Sequence, residues 1–125
     1  MAITLSFYNS KGGVSKTISA ANVGASLRLL GYKVLLIDLD PQANLSQHFG
    51  QEECDQNLYD VILEELDVKD IIRSIDESMH IIPGNVNLYP LDYQLHSFHN
   101  KEYILRNIKT ERVCLAKTKI RAKVW

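Results

Sequence analysis

The fold of this 125-residue chain is decided by one stretch near its N-terminus, Ser10-Lys11-Gly12-Gly13-Val14-Ser15-Lys16-Thr17. A short, mostly apolar and β-prone run, 3–8, precedes this stretch, and a segment with apolar residues at helical spacing, 18–30, follows it. Gly12 and Gly13 have no Cβ, so the backbone can approach an anion closely there. A strand, a glycine-containing loop and a helix in this order predict a phosphate-binding loop.

The side chains and amides of this loop suit a nucleotide. Lys16 supplies a positive charge for β- and γ-phosphates, and Thr17 offers a hydroxyl to Mg²⁺ in the first helical turn. The positive end of the helix dipole also favours the anion. We therefore expect a nucleotide and Mg²⁺ as cofactors. The candidate nucleotide-binding residues are Lys11, Gly12, Gly13, Val14, Ser15, Lys16, Thr17 and Ile18. An incidental glycine-rich turn is the weaker alternative, because motif, strand and helix agree.

A second strand completes one βαβ unit. Gly31 stands where a helix ending near Leu30 needs a C′ residue. Residues 33–39 are nearly all apolar, as expected for a parallel strand that is covered on both faces. The fold class predicted from this unit is α/β, a three-layer P-loop fold with a mainly parallel sheet.

The second strand leads into Asp38-Leu39-Asp40-Pro41-Gln42-Ala43-Asn44-Leu45. Ligands bind at the carboxyl ends of parallel strands in open α/β folds, and the phosphate loop lies at that same edge. Asp38 and Asp40 are therefore expected near Mg²⁺ and the γ-phosphate, where one carboxylate can orient an attacking water. A capped strand-to-helix turn without a catalytic role is the alternative.

Two motifs carry a family resemblance. The pattern Lys-Gly-Gly-x-x-Lys-Thr at residues 11–17 resembles the deviant Walker loop of the ParA/MinD group of ATPases, although Ser15 stands where that group usually has Gly. The pattern Asp-x-Asp-Pro-Gln-x-Asn at residues 38–44 resembles the signature of ParA partition proteins, from which the MinD branch departs after the second Asp. The resemblance extends over roughly residues 1–110.

The resemblance implies a function and a role for each residue. A ParA-type protein binds ATP, hydrolyses it slowly and segregates plasmid or chromosomal DNA with a centromere-binding, ParB-like partner protein. Lys11 would reach across an ATP-dependent homodimer to the partner's phosphates. By the same resemblance Asp40 would position the hydrolytic water, and Asp38 would support the metal shell together with Thr17.

The middle of the chain continues the α/β pattern. Asn57 can cap a helix over 58–66, and a short helix is expected after Asp67. Residues 79–82 predict a strand that ends at Pro83-Gly84. Two further helices are expected over 88–98 and 101–108.

Composition narrows the function classes. The length suits one domain. No apolar run approaches 18 residues and no signal-peptide pattern is present, so a cytoplasmic protein without a membrane role is expected. Cys54 and Cys114 are isolated, which disfavours an iron–sulfur carrier. His96 and His99 make an incomplete zinc set.

The C-terminal end departs from the family pattern. Residues 1–111 hold nine Lys/Arg against fifteen Asp/Glu, a net −6, whereas 112–125 hold five basic residues and no acid. We therefore divide the chain into an N-terminal part of a ParA-like ATPase domain, 1–111, and a basic tail of uncertain origin, 112–125. A ParA protein would continue with an apolar strand ending in an aspartate, the Walker B element. Here the last aspartate is Asp92.

The departure leads to three expectations. First, the domain is truncated, and the loss of the Walker B strand leaves the phosphate-loop strand with an unpaired apolar edge that favours association or marginal stability. Second, a non-hydrolysing fragment that binds nucleotide or forms mixed dimers with a full-length partner is an alternative, so the status of the chain as an enzyme is open. Third, the tail is either an interrupted reading frame, which is the favoured interpretation, or the basic arm of a small DNA-binding regulator. Non-specific DNA binding is doubtful without the family regions that carry it.

Overall fold

The computed structural model describes residues 2–9, 15–51, 55–63, 66–90 and 119–124. In these residues the strands are β1 (Ala2–Phe7), β2 (Lys33–Asp38), β3 (Arg73–Ser74), β4 (Met79–Ile82) and β5 (Lys119–Val124). The α-helices are α1 (Lys16–Leu29), α2 (Asn44–His48) and α3 (Leu58–Leu63). Short 3₁₀ turns occur at Val68–Ile71 and Val86–Leu88. The predicted helix over 101–108, and the predicted helix over 88–98 beyond residue 90, lie outside the described residues.

The described strands form one sheet in the order β1-β5-β2-β4-β3. The three pairings β1–β5, β5–β2 and β2–β4 are parallel, and the short β3 pairs antiparallel with β4. The structure thus confirms the α/β fold class with a mainly parallel sheet.

Strand β2 lies at the centre of the hydrophobic core. Its residues Val34 to Asp38 are all buried, because apolar clusters cover both faces of the strand. One cluster contains Ala20 and Ala21 of α1 together with Val34, Leu36, Leu45, Met79 and Ile81. The other contains Leu35, Ile37, Leu58, Val61, Val68, Ile71, Ile82 and Leu88. This two-sided burial explains why β2 is almost continuously apolar.

Helix α1 packs closely on the sheet, and a glycine follows its C-cap residue. A Cβ on Gly24 would stand 3.1 Å from Leu36 Cδ2, so a larger residue here would require the Leu36 side chain to shift by a few tenths of an ångström. At the other end Gly31 has φ +86°, and Tyr32 N donates to Leu27 O at 3.1 Å in a Schellman motif. The predicted role of Gly31 as the C′ residue is confirmed.

Strand β5 corrects one prediction. We expected the loss of the Walker B strand to leave β1 unpaired on that side, but β5 lies between β1 and β2 and pairs with both along its six residues. The physical reason is visible in the sequence: Ile120, Ala122 and Val124 alternate with basic residues, which is the period of a β-strand. Residues 119–124 therefore belong to the sheet, while the division of the chain at residue 111 stays a prediction.

The segment after α3 also differs from expectation. Asn57 caps α3 as predicted, since its Oδ1 accepts from Tyr59 N at 2.9 Å. Asp67, however, caps only a 3₁₀ turn, so the short helix predicted after it ends at Ile71 and the chain then forms β3. No helix in the described part of the chain has the length and apolar character needed to cross a bilayer.

Candidate nucleotide-binding site

The carboxyl ends of the parallel strands form one edge of the sheet. Through β5, Phe7 and Asp38 both stand opposite Val124, so the last residues of β1, β5 and β2 share one rung of the ladder. Strand β4 ends beside them, with Ile82 opposite Ile37. The chain segments that leave β1, β2 and β4 therefore emerge at the same edge, which is where open α/β folds bind ligands.

Helix α1 begins at this edge with the second half of the phosphate-loop motif. Ser15 is the N-cap residue, and Lys16 and Thr17 are the first two residues of the helix, both half-buried. The side chain of Ser15 makes no capping hydrogen bond, so the first amides of α1 are not satisfied by that hydroxyl. A helix start of this kind suits an anion.

The backbone at Ser15 is left-handed, with φ 57° and ψ 26°. This is the position where the ParA/MinD loop usually carries Gly, and the geometry gives the reason: glycine adopts positive φ without steric cost, whereas serine does not. The remaining predicted loop residues Lys11, Gly12, Gly13 and Val14 lie outside the described residues, so their roles stay predictions.

Asp38 is fully buried at the end of β2 and engaged on both oxygens. Its Oδ2 accepts hydrogen bonds from Ser46 N at 2.9 Å and Ser46 Oγ at 2.7 Å, and its Oδ1 accepts from Asp40 N at 3.1 Å. Burial raises the pKa of the Asp38 carboxyl, while the hydrogen bonds from Ser46 partly offset that rise. The charge of Asp40 adds a smaller upward contribution to the pKa of Asp38.

Ser46 joins Asp38 to the loop after β4. Its hydroxyl donates to Asp38 and accepts from Gly84 N at 2.8 Å, and Ser46 is itself fully buried in α2. A Cβ on Gly84 would stand 2.7 Å from Asp40 O and 2.9 Å from Asp38 Cγ. The end of β2 and α2 thus meet at the carboxylate of Asp38, and the loop after β4 is joined to them through the hydroxyl of Ser46.

Ser46 and the contact role of Gly84 were not predicted from the sequence. The available signal was weak: a serine eight residues beyond Asp38, and a glycine that was interpreted only as the end of a strand. A contact between Ser46 and Gly84 spans 38 residues along the chain, which no local pattern encodes.

Asp40 occupies a different environment from Asp38. It is half-buried, and its Oδ1 accepts from Gln42 N at 2.9 Å, while its carbonyl oxygen accepts from Ala43 N at 2.9 Å. Ala43 has φ 53° and is the N-cap residue of α2. The turn therefore fixes the backbone of Asp40 and leaves its carboxylate nearer the surface than that of Asp38.

These two environments bear on the predicted magnesium site. The hydroxyl of Thr17 at the start of α1 fits a magnesium ligand in type and position. Asp38 fits a positioning residue better than a direct ligand, because each of its oxygens already accepts a hydrogen bond inside the protein. Among the described residues there is no group of three or more His, Cys, Asp or Glu that could hold a metal by itself. Strand β5 brings Val124, not an acid, to the shared rung.

The parallel sheet, the loop-to-helix motif and the acidic turn at one edge define the class of this chain as a P-loop α/β protein. A family model described as "AAA domain" matches residues 2–113. The chain belongs to this family, as the N-terminal region of a ParA/MinD-type P-loop ATPase.

Curated relatives agree with this assignment. The chain is 38% identical over 98 residues to the sporulation initiation inhibitor protein Soj of Bacillus subtilis, covering 76% of this chain and 39% of that protein. It is 36% identical over 112 residues to the chromosome-partitioning ATPase Soj of Treponema pallidum, covering 89% of this chain and 44% of that protein. The chain thus spans less than half the length of these relatives.

A solved structure supports the fold. Cobyrinic acid a,c-diamide synthase from Mycobacterium smegmatis, crystallised with ADP and magnesium, matches with a TM-score of 0.88 at 30% identity. The match covers 97% of this chain and 50% of the synthase chain. The described strand order is therefore one that a larger P-loop protein also uses.

Proposed function

We propose that this chain binds ATP with Mg²⁺ and is the nucleotide-binding part of a ParA-type ATPase that segregates plasmid or chromosomal DNA. The observation that carries the proposal is that the start of α1, with Lys16 and Thr17, and the acidic turn at Asp38 and Asp40 leave the same edge of the sheet. The partitioning role named for the Treponema relative, and the ADP and magnesium in the Mycobacterium structure, support it.

Each residue has a role in this proposal. Backbone amides of the loop 11–15 and of the first turn of α1, up to Ile18, bind the phosphates, and Lys16 offsets the charge of the β- and γ-phosphates. The hydroxyl of Thr17 holds Mg²⁺, which supplies further charge neutralisation during phosphoryl transfer. Asp40 orients the attacking water, and Asp38 holds Asp40 in place through the amide of Asp40.

The proposal also includes a homodimer and a partner protein. Lys11 would contact the phosphates bound to a second copy, so that ATP drives formation of a homodimer. A centromere-binding, ParB-like protein would act on this dimer in the cytoplasm. The chain covers less than half of its curated relatives, so these properties concern the whole assembly that contains this region.

A second candidate function is nucleotide binding without hydrolysis. The observation that favours it lies in β5, which occupies the sheet position next to β1 but brings Val124 to the rung of Asp38 in place of a carboxylate. A DNA-binding arm is less favoured, since residues 119–124 are engaged in the sheet on both sides.

Calorimetric titration with ATP and Mg²⁺ tests binding. We expect saturable binding by the wild-type chain and a loss of at least tenfold in affinity for Lys16→Ala. Lys33→Ala is the matched control, because Lys33 is exposed at the opposite, amino end of β2 and its loss leaves the site intact. Equal affinity of Lys16→Ala and wild type would contradict the proposed site.

Phosphate release under saturating ATP separates the two candidate functions. Slow turnover that Asp40→Ala abolishes, while ATP binding persists, supports hydrolysis with Asp40 as the water-positioning group. Binding without turnover in the wild type supports the second candidate.

A further inference from the structure

The backbone of Asp40 is confined on both sides of its side chain. Its amide donates a hydrogen bond to Asp38 Oδ1 at 3.1 Å. Its carbonyl oxygen accepts from Ala43 N at 2.9 Å, and it lies so close to Gly84 that a Cβ on this glycine would stand 2.7 Å away. The Asp38 carboxylate therefore holds one peptide group of Asp40, and the loop after β4 packs against the other.

The hydroxyl of Ser46 bonds to both of the groups that confine Asp40. It donates to Asp38 Oδ2 at 2.7 Å and accepts from Gly84 N at 2.8 Å. Ser46, Asp38 and Gly84 are all buried, so bulk solvent does not compete for either hydrogen bond. One hydroxyl thus acts on Asp40 from its amide side and from its carbonyl side.

The carboxylate of Asp40 is tied to its own turn. Its Oδ1 accepts from Gln42 N at 2.9 Å, two residues along the chain. A hydrogen bond of this kind fixes the side chain relative to the turn, whereas Asp38 and Gly84 fix the turn relative to the sheet. Asp38 is the last residue of β2, and Gly84 lies two residues beyond the end of β4. The position of the Asp40 carboxylate at the sheet edge therefore depends on Ser46.

The start of α1, the other half of the proposed site, is held by apolar packing. Ala20 and Ala21, one turn into the helix, are buried in the cluster that contains Leu36 of β2. The acidic turn and the start of α1 thus have different anchors on one sheet. The spacing between the Asp40 carboxylate and the phosphates is correct only while both anchors hold.

We propose that Ser46 is a positioning residue for ATP hydrolysis, whose hydroxyl sets the place of the Asp40 carboxylate relative to the phosphates at the start of α1. This inference rests on the proposed function, in which Asp40 orients the attacking water. A misplacement of about 1 Å in a reacting geometry costs about 100-fold in rate. Loss of the hydroxyl therefore lowers turnover, while ATP affinity persists because Lys16 and the first turn of α1 lie on another element.

Amide hydrogen exchange in the nucleotide-free chain tests the confinement separately from the proposed function. Exchange reports local opening of individual hydrogen bonds. We expect Ser46→Ala to raise the exchange rates of Asp40 N and Gly84 N at least tenfold relative to that of Tyr59 N, which is bonded to Asn57 Oδ1 in α3. An unchanged ratio of the Asp40 and Tyr59 rates would overturn the proposal.

Met79→Ala is the control for general loss of stability. Met79 is 2% exposed and lies at the amino end of β4, so its truncation leaves a cavity in the core away from the carboxyl edge. The exchange ratio in Met79→Ala should equal that of the wild type. An equal rise of the ratio in Met79→Ala and Ser46→Ala would overturn the specific role of Ser46.

Phosphate release and calorimetry complete the test under conditions in which all variants remain folded by circular dichroism. We expect kcat to fall at least tenfold in Ser46→Ala with the Kd for ATP within twofold of wild type, and both to be retained in Met79→Ala. Wild-type turnover in Ser46→Ala would overturn this inference alone, as would a parallel loss of affinity. A wild type that binds ATP without turnover would overturn the proposed hydrolysis and this inference together, and would leave the proposed binding site in place.

Ser46→Cys provides a second variant that keeps the core filled. A thiol occupies nearly the same space as the hydroxyl but is a weaker donor and acceptor. Exchange at Asp40 N should therefore rise and kcat should fall in Ser46→Cys, each by less than in Ser46→Ala. If Ser46→Ala does not fold, wild-type exchange and turnover in Ser46→Cys would overturn the proposal.

Discussion

The hydroxyl of Ser46 lies 2.7 Å from Oδ2 of Asp38 and donates a hydrogen bond to it, in a place where both residues are fully buried. The same hydroxyl accepts from Gly84 N. One serine thus holds together the acidic end of β2, helix α2 and the loop after β4, and it does so close to the proposed water-positioning residue Asp40, whose amide donates to the same carboxylate.

Removal of the Ser46 hydroxyl is expected to lower the stability of the fold and to change the pKa of Asp38. Ser46→Ala deletes one donor to a buried carboxylate and one acceptor for a buried amide, at a cost of about 2–3 kcal/mol in the free energy of unfolding. Because the side-chain hydrogen bond from Ser46 lowers the pKa of Asp38, its loss should raise that pKa further. Urea unfolding and carboxyl-carbon NMR titration measure the two effects.

Ser26→Ala is the control for this prediction. Ser26 is exposed on α1, so its substitution should change neither the stability nor the Asp38 titration appreciably. If Ser46→Ala behaved like Ser26→Ala, the assigned role of the buried hydroxyl would be wrong.

Burial of Asp38 predicts an unusual pH dependence of stability. Its folded pKa lies above the unfolded value, so between the two values the folded state binds a proton that the unfolded state does not. The stabilising contribution of this proton is fully present below the unfolded pKa and is lost as pH rises through the folded pKa. Relative to Asp38→Asn, the wild type should therefore become less stable across that interval.

Asp76 is expected to give a pH dependence of stability opposite in sign to that of Asp38. The hydrogen bond from Ser78 N, followed in size by the charge of Arg28 and a hydrogen bond from Met79 N, lowers the pKa of Asp76 against a desolvation effect. Its contribution is present above the unfolded pKa and is lost as pH falls through the folded pKa. Urea titrations of Asp38→Asn and Asp76→Asn from acid to neutral pH should give opposite slopes relative to wild type, and equal slopes would refute the assignment.

Gly84→Ala is expected to disrupt the acidic turn. Its Cβ would meet the carbonyl oxygen of Asp40 at 2.7 Å, so the backbone that carries the proposed catalytic carboxylate must move. We expect a loss of about 1–3 kcal/mol in stability, together with lower ATP turnover if the wild type hydrolyses ATP.

Gly31→Ala is the control for Gly84→Ala, because it introduces backbone strain without a steric contact. Gly31 has φ +86°, and a Cβ at this position would have no other atom within 4 Å, so alanine there costs about 1–2 kcal/mol through strain alone. ATP turnover, measured by phosphate release, should be unchanged in Gly31→Ala. An equal loss of turnover in both variants would show that the effect of Gly84→Ala is merely global.

Ser15→Gly should stabilise the chain. The left-handed backbone at Ser15 costs a non-glycine residue about 1–2 kcal/mol, of which the extra flexibility of glycine in the unfolded state cancels a part. We expect a net gain of about 0.5–1 kcal/mol in thermal or urea unfolding. The same change at Ser26, inside α1 where φ is negative, should instead destabilise by roughly 0.5–1 kcal/mol. If Ser15→Gly and Ser26→Gly changed the free energy of unfolding in the same direction, the proposed strain at Ser15 would be wrong.

The sequence predicted the parts of the fold that depend on local pattern. Strand β1, helix α1, strand β2 and strand β4 were each recognisable from apolar period and from their flanking glycines or prolines. Strand β3 was missed because two residues carry no periodicity. Strand β5 was missed because the excess of basic residues over 112–125 and the departure from the family pattern were interpreted as an interrupted reading frame or a basic arm, although the alternating Ile120, Ala122 and Val124 were visible.

In the candidate site, too, some features were predictable from local sequence pattern and others were not. Two short motifs were sufficient to predict four site residues: Lys16 and Thr17 follow a glycine-containing loop, and Asp38 and Asp40 follow an apolar strand. Phosphate and magnesium chemistry require those groups in short, contiguous motifs. The separate roles of the two aspartates were not predictable, since burial and hydrogen bonding to Ser46 depend on where α2 packs.

Local sequence pattern was thus enough to predict the βαβ unit, its P-loop character and the residue types at the carboxyl edge, because each follows from spacing within one element or one short motif. Long-range packing was needed to establish that Asp38 is buried while Asp40 lies nearer the surface, that Gly84 must lack a side chain, and that β5 fills the sheet beside β1. These features arise from contacts between segments far apart in the chain, whose energies depend on burial and packing and not on local pattern.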